Sequence, residues 1–340
     1  MINAHARQAI CSIRDETQIG AARRRARQLA ESVPLDEVMT ANVGIVATEL
    51  ASNMFKHAGG GELFIRHISD EEFKGLELVA VDRGPGMRDI SLALQDGHST
   101  SGTPGTGLGA ARRLSEVFDL HSEPGKGTVV LSRIGTGKVQ RVLTPSWGSM
   151  ETSAPGETVS GDQWSMMCRE GVLYVMMVDA LGHGVLANEA ASTAIRTFAE
   201  YGADQPGAFL RRAHEALRSG RGAAIAVARC ELGRGTLTYA GIGNVAGVIV
   251  RMDGRQHGLV SHNGTIGADS ISVKEFGYEW LPGEKLVMHT DGLRTRWILN
   301  QRPGLSARHP AVIAAVLHRD CLRGKDDATV LVLAREDFAS

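Results

Sequence analysis

The sequence predicts an α+β chain of two domains, and three observations carry that reading. At 340 residues the chain exceeds what one core usually needs. Residues 1–136 interleave helical runs with short apolar strands around one glycine-rich stretch, residues 82–109. Residues 137–340 turn strand-rich, with acids standing at strand ends beside glycines. The boundary is expected near residues 135–138.

Each element has a local reason. Residues 8–14 alternate loosely and read as an edge strand. Residues 17–32 place Ile19, Ala22, Ala26, Leu29 and Ala30 at helical spacing, and Pro34 breaks that run. Residues 36–57 read as the next helix, with Val43, Val46 and Leu50 as its apolar stripe. Gly59, Gly60 and Gly61 end it, glycine being suited to a helix C-terminus. Strands follow at 63–68 and 76–81, then the glycine-rich loop, a helix at 110–117, and strands at 117–122 and 128–133. These are expected to form a mixed sheet with helices on one face. In the second half, strands are expected at 142–149, 163–168, 172–178, 223–231, 236–242, 246–252, 285–290 and 330–334. Helices are expected at 185–201, 208–219 and 310–319.

Composition narrows the function classes. Hydrophobic content of 43% and charged content of 22% are ordinary for a globular chain. A net charge of −1 gives no reason to expect a nucleic-acid or anionic-membrane partner. The run Arg23, Arg24 and Arg25 reads as a solvated helix face. No apolar run reaches the ~18 residues of a membrane span, and MINAHARQAI lacks a secretory pattern. Cys11, Cys168, Cys230 and Cys321 are scattered without a CxxC, which suits free thiols in a cytoplasmic protein. Met166, Met167, Met176 and Met177 read as core packing.

The stretch 82–109 reads DRGPGMRDISLALQDGHSTSGTPGTGLG. A strand ending in Asp82, a glycine-rich loop and a helix start make a phosphate-binding arrangement. Glycines let backbone N–H groups approach phosphate oxygens, and a helix N-terminus adds favourable charge. No Gly-Lys-Ser/Thr closes the loop, so the Walker pattern is absent. Upstream, Glu49 and Asn53 are four apart and share one helix face. An Asn oxygen suits Mg²⁺, and Glu49 can accept a proton or orient a nucleophile.

Glu49/Asn53, Asp82-x-Gly84-x-Gly86, Gly105-Thr106-Gly107-Leu108-Gly109 and Gly127-Thr128 resemble the four boxes of the GHKL ATPase family. Within it, DGHSTSGTPGTGLGAARRL is most similar to the RsbT-type anti-sigma serine kinases. The resemblance covers residues 1–135 and implies an α/β sandwich that binds Mg-ATP. It implies ATP-binding roles for Asn53, Asp82, Gly84, Gly86, Gly105, Thr106, Gly107, Leu108, Gly109 and Thr128, with Asn53 on the metal, Asp82 on the adenine amino group and Glu49 catalytic. His98 and Ser99 are expected to shape the lid over the nucleotide. No helical pair carrying a phosphoacceptor His precedes this domain, which argues against a sensor histidine kinase.

In the second half Asp162, Asp179, Asp291 and Asp326 stand at strand ends or turns. One such Asp is usually a turn residue. Four packed together would repel and resist ionisation unless cations neutralised them. Oxygen-only ligands suit Mn²⁺ or Mg²⁺, and a metal pair can activate water at a phosphoryl group.

Gly161-Asp162, DALGHG at 179–184, AGIGN at 240–244, TDG at 290–292 and DDAT at 326–329 resemble the SpoIIE/RsbX branch of the type 2C-like serine/threonine phosphatases. The resemblance covers residues 138–335 and implies an α-β-β-α sandwich. It implies two Mn²⁺ or Mg²⁺ held by Asp162, Asp179, Asp291, Asp326 and the carbonyl of residue 180, with Asp179 bridging. Relatives usually carry Gly where Ala180 stands, and a negative φ would keep that carbonyl usable. His183 reads either as a general acid or as a residue filling its turn, and Asp327 has no assigned role.

The combined expectation is a bifunctional partner-switching regulator of the bacterial type. Residues 1–136 would phosphorylate Ser or Thr on a STAS-domain antagonist or related partner, and residues 137–340 would remove such phosphates. A downstream phosphatase or signalling enzyme is a further expected partner. In the alternative, the ATP-binding domain is a non-catalytic regulatory or docking module on a phosphatase.

Overall fold

A computed structural model of the chain describes residues 2–3, 8–69, 73–94, 107–137, 145–268 and 270–335. The chain divides into two compact units. The N-terminal unit comprises His5–Gln140 with Asn300–Ala315; the C-terminal unit comprises Met1–Ala4, Arg141–Leu299 and Val316–Ser340. No helix among the described residues is long and apolar enough to cross a membrane.

The chain begins with β1 (Ile2–Asn3), which belongs to the C-terminal unit. The N-terminal unit then runs β2 (Gln8–Ile13), α1 (Thr17–Ala30), α2 (Glu37–Ala58), β3 (Gly61–Ser69), β4 (Lys74–Val81), the single turn α3 (Ile90–Ala93), α4 (Gly107–Arg113), β5 (Val117–Glu123) and β6 (Gly127–Thr136). The strands form one sheet in the order β2-β3-β4-β6-β5, with β2 at an edge as expected. Every pairing is antiparallel, where a mixed sheet was expected. The reason is the connection between β2 and β3. A single crossover helix returns the chain parallel; the pair α1 and α2 adds one more reversal.

α2 is fixed at both ends. Asp36 accepts the Met39 N–H at 2.7 Å as N-cap, and Gly59, at φ 70°, closes the helix in the left-handed region. Ala22, Ala26 and Leu29 of α1 and Val46, Ala47 and Leu50 of α2 are buried with Leu63, Ile65, Leu76 and Leu78 of the sheet. Each fully buried large side chain contributes about 1.5–3 kcal/mol. The helix expected at 110–117 instead ends at Arg113. Glu116 donates its N–H to the Arg133 carbonyl at 2.9 Å, so the strand register takes the chain from there.

The other sheet face carries charge. Glu77 of β4 is 1% exposed and lies directly opposite Arg66 of β3 and Arg133 of β6. Its carboxylate meets those guanidiniums at 2.6 and 2.8 Å. Residues 300–315 complete this unit. The Asp119 carboxylate of β5 accepts the His309 N–H at 2.6 Å and pairs with Arg308 at 3.2 Å, and Arg302 stands 3.8 Å from Glu123.

The C-terminal unit holds β7 (Ser146–Thr152), β8 (Asp162–Arg169), β9 (Val172–Ala180), α5 (Val185–Tyr201), α6 (Pro206–Leu217), β10 (Ala223–Glu231), β11 (Thr236–Ile242), β12 (Ala246–Val250), β13 (Gln256–Gly258), β14 (Phe276–Glu279), β15 (Lys285–His289), the C-terminal part of α7 (Pro310–Cys321) and β16 (Ala328–Ala334). One sheet runs β1-β8-β9-β10-β11-β14, the other β13-β12-β15-β16-β7. Both are antiparallel. Trp147 of one sheet meets Trp164 of the other with ring centroids 5.2 Å apart. Phe198 of α5 and Phe209 and Leu210 of α6 are buried with Met176, Val178, Ile225 and Val227 of the first sheet. The short strands β1, β13 and β14 carry too few residues for an alternating pattern to show in sequence.

Two groups on the charged face make this fold acid-sensitive. Burial pushes the Glu77 carboxyl up, but Arg66 and Arg133 outweigh it and hold it below its usual range. Burial, with Arg133 and Arg66 beside it, pushes the His309 imidazole down to about 3. Both groups have folded-state values below their unfolded ones, so both contribute stability that is lost as pH falls. For His309 the loss runs from the unfolded value near 6.5 down to about 3. Its slope is roughly 1.4 kcal/mol per pH unit. Urea midpoints taken from pH 7 to 4 should fall, and His309→Gln should flatten the part between pH 6.5 and 5. An unchanged slope in the variant would remove His309 from the account.

Candidate nucleotide and metal sites

The first site forms where α2 faces the start of α4. Glu49 and Asn53 lie one turn apart on α2, and the apolar side of that helix holds both in place. Gly107 packs against them: an added Cβ would stand 2.9 Å from Glu49 Oε2 and 3.4 Å from the Asn53 amide. A side chain there would occupy the space between helix and loop. Asn53 Nδ2 is buried without a hydrogen-bond partner among the described residues. A buried amide left without a partner is costly, and a bound polar group at this position relieves it. An N–H donor left open fits an acceptor such as a nucleotide phosphate oxygen, and leaves the Asn53 Oδ1 as the atom that could face a cation.

Asp82 follows β4 and is oriented by the backbone. Its Oδ1 accepts the N–H groups of Gly84 at 2.9 Å and Thr128 at 3.0 Å. A carboxylate offers about four acceptor positions, so it can also receive an amino group. Gly84 lies against Ala58, and Gly86, at φ 67°, leaves no room for a Cβ beside the Glu123 carbonyl. The Thr128 hydroxyl is 2.8 Å from that of Ser122, which accepts the Met87 N–H at 2.8 Å. Leu108 packs on the unit's core and Gly109 is buried. Gly105 and Thr106 lie outside the described residues, as do His98 and Ser99.

The second site forms at one end of the two C-terminal sheets. Asp162 opens β8, and Asp179, one residue from the end of β9, is its direct cross-strand partner. Asp291 follows β15 by two residues, and Asp326 precedes β16 by two. The sheets are tied there by Thr290, whose hydroxyl donates to Asp162 Oδ2 at 2.5 Å. Asn244, between β11 and β12, donates to Asp291 Oδ2 at 2.7 Å. Ala180 donates its N–H to the Gly161 carbonyl at 3.2 Å. Its φ is not positive, since Glu170 alone among the described non-glycine residues has a positive φ.

The electrostatics follow from this crowding. Burial, then Asp291 and Asp326, pushes the Asp179 carboxyl up to about 7. Burial, then Asp179, raises Asp162 well above the usual carboxylate range. Such a set is stabilised by divalent cations, and all-oxygen donors suit Mg²⁺ or Mn²⁺. The residues therefore fit a metal centre by charge and donor type. As they stand, no three His, Cys, Asp or Glu side chains among the described residues are grouped as a ready metal cage. Thr290, Asn244 and the Asp327 N–H each engage one of the carboxylates.

Three residues near this site escaped the sequence reading. Thr290 and Asn244 orient Asp162 and Asp291, and their signal lay in the TDG and AGIGN segments. Asp327 is a clamp: its two oxygens accept the N–H groups of Ala154 and Gly161, both at 2.7 Å. The exposed His183 ring is 2.7 Å from Glu157 through Nδ1, beside Gly184 at φ 76°.

Comparison with known proteins agrees in both halves. Residues 13–133 match the family described as histidine kinase-like ATPase domain, and residues 169–336 match Stage II sporulation protein E. Over 123 residues the chain is 38% identical to the serine/threonine-protein kinase RsbT of Bacillus subtilis (strain 168), covering 36% of this chain and 92% of that one. Over 139 residues it is 27% identical to the phosphoserine phosphatase RsbX of the same organism, covering 41% and 69%. A solved structure from work on the bacterial stressosome, described as a modular system adapted to control secondary messenger signalling, aligns with TM-score 0.52 and 22% identity. It covers 55% of this chain and 98% of that one, and bears on fold alone.

The clamp yields a test. Asp327→Ala would leave two buried backbone N–H groups without acceptors, at about 1–3 kcal/mol each. The urea midpoint should drop accordingly, and Asp327→Asn, which keeps one acceptor, should lose less. Equal midpoints for wild type and Asp327→Ala would show that these bonds contribute nothing.

Proposed function

The chain belongs to the RsbT family of serine/threonine-protein kinases through its N-terminal part and carries a SpoIIE-type, type 2C-like domain after it; from this we propose that one polypeptide both adds and removes phosphate on Ser or Thr of a partner protein. The kinase is assigned to residues 1–136 and the phosphatase to residues 137–340. The partner is a STAS-domain antagonist, with a downstream phosphatase or signalling enzyme as a second one. The observation that carries the reading is the pairing of Glu49 with Asn53 against Gly107, which sets a carboxylate beside the side chain read as the Mg²⁺ ligand.

In the kinase part, Asp82 receives the adenine amino group in an orientation set by Gly84 and Thr128. Gly84, Gly86, Gly105, Thr106, Gly107, Leu108 and Gly109 let the backbone approach the nucleotide. Asn53 would hold Mg²⁺, which offsets phosphate charge when bound. Glu49 takes the proton of the attacking hydroxyl, a role worth about 10²–10⁴ in rate.

In the phosphatase part, Asp162, Asp179, Asp291, Asp326 and the Ala180 carbonyl would hold two Mn²⁺ or Mg²⁺. When bound, such a pair activates water and offsets charge on the phosphoryl group. The chain's own contribution is to hold the carboxylates in place. Thr290 fixes Asp162 across the two sheets, and Asn244 turns Asp291 toward the same end.

Two variants separate the activities. The full-length protein is incubated with ATP, Mg²⁺ and a STAS-domain protein encoded beside it, and the partner's intact mass is followed. In Asp179→Asn, where release is expected to stop, the partner should gain one phosphate. Glu49→Gln should bind a non-hydrolysable ATP analogue normally and phosphorylate at least 100-fold more slowly. An unchanged rate when Glu49→Gln is added to Asp179→Asn would remove Glu49 from the mechanism, and no transfer by Asp179→Asn itself would leave the ATP site as a docking module. Asp179→Asn should abolish release of phosphate from the phosphorylated partner while transfer continues. Retained release would overturn the role of Asp179.

A further inference from the structure

Two arginines of α1 lie across α2 because α2 has a glycine there. Arg23 and Arg27, one turn apart, both reach Gly44: a Cβ added to that glycine would stand 3.1 Å from Cγ and Cδ of Arg27 and 3.7 Å from Cγ of Arg23. Their stems lie on the α1–α2 seam, and both residues stay exposed. Long basic side chains cover a neighbouring surface in this way while keeping their charge in water. Neither has a carboxylate partner among the described residues, whereas Arg66, Arg133 and Arg308 of the same unit each have one.

Beside them α2 exposes an apolar strip. Val38 is 68% exposed and Ile45 42%, and Ala41 between them is exposed too. Neither Val38 nor Ile45 serves the core, which takes Val43, Val46, Ala47 and Leu50 from the other side of the helix. With 3.6 residues per turn, Val38, Ile45 and Glu49 fall within about 40° of one another around α2. One face therefore runs from Val38 to the Glu49 carboxylate over about 16 Å. A single exposed valine or isoleucine is ordinary. A row of them, edged by unpaired cations and ending at a candidate catalytic group, marks a contact surface.

We propose that the outward face of α2 from Val38 to Ile45, with Arg23 and Arg27 along its edge, is the docking surface for the protein that receives phosphate. The partner meets it with a segment that sets apolar side chains on Val38, Ala41 and Ile45 and carboxylates against the two guanidiniums. Docked there, the segment ends one turn from Glu49 and brings an adjoining Ser or Thr to it. The inference rests on the reading of Glu49 as the group that takes the hydroxyl proton. Charge complementarity calls for an acidic occupant, and the apolar strip favours a protein segment over a nucleic acid. A strip of this length is small for a permanent interface and suits a substrate that must leave.

The test uses the full chain carrying Asp179→Asn, so that transfer is read without release, and the STAS-domain protein of the assay above as probe. Calorimetry gives its dissociation constant, and intact mass gives KM and kcat. Arg23→Glu with Arg27→Glu should weaken binding and raise KM at least 10-fold. It should leave kcat within about 2-fold and affinity for a non-hydrolysable ATP analogue unchanged. Ile45→Asp should act the same way. Added salt should weaken binding by the parent far more than by the double variant. Arg25 supplies the control, since its side chain bonds Gln28 at 2.8 Å and lies about 200° around α1 from Arg23. Arg25→Glu should leave binding within about 2-fold. Unchanged binding in the double variant, or an equal loss in Arg25→Glu, would overturn the surface and leave the kinase reading intact. A parent that binds the probe through these arginines but transfers no phosphate would overturn the role of Glu49 and keep the surface. A parent that does not bind the probe would overturn the surface, and so would an Ile45→Asp chain that sediments as a smaller species than the parent, which would assign the strip to self-association. Should the charge reversals fail to fold, Arg23→Gln with Arg27→Gln keeps the stems and should still weaken binding at least 3-fold.

Discussion

Carboxylates crowded at one end of two facing sheets set the terms for the C-terminal unit. Asp162 and Asp179 are cross-strand partners, and the second sheet adds Asp291 and Asp326. Burial opposes ionisation of Asp162 and Asp179, and the neighbouring carboxylates add to the effect. Much of the surrounding structure answers that repulsion. The Thr290 hydroxyl ties one carboxylate across the sheets, Asn244 holds another, and backbone N–H groups occupy Asp326 and Asp327. The unit holds its negative charge in place through these hydrogen bonds.

The N-terminal unit handles charge differently. There Asp82 is aimed by backbone donors, the N–H groups of Gly84 in its own loop and of Thr128 on β6. On the opposite sheet face Glu77 is neutralised within its own row by Arg66 and Arg133. A buried pair of this kind adds little net stability against an apolar alternative, but removing one partner is costly. It fixes the register of three strands, since a slip by one residue would turn the three side chains to the core.

Much of this was legible in the sequence because periodicity and punctuation are local. The α2 cap at Asp36, the stop at Gly59 and the span of α5 follow from residue types within a few positions. Asp162, Asp179, Asp291 and Asp326 could be picked out because each stands near a strand end, and the fold brings them toward one end of the two sheets. What failed was long-range. The Glu77 row depends on register between strands, the antiparallel sense depends on the α1–α2 pair, and the partnership of Asp119 with His309 joins residues 190 positions apart. Asp327 was left without a role because its neighbour Asp326 has the same chemistry, and only the positions of Ala154 and Gly161 separate clamp from ligand.

The inclusion of residues 300–315 in the N-terminal unit bears on how such a chain could be cut. A piece ended at residue 136 would keep its helices, its apolar core and every nucleotide-facing loop. It would lack the segment that satisfies Asp119, and water would reach the row of Glu77, Arg66 and Arg133 from that side. The C-terminal piece would meanwhile carry a dangling segment with His309 and Arg308 and no carboxylate to receive them. A cut at that point would therefore divide a compact unit rather than fall between two.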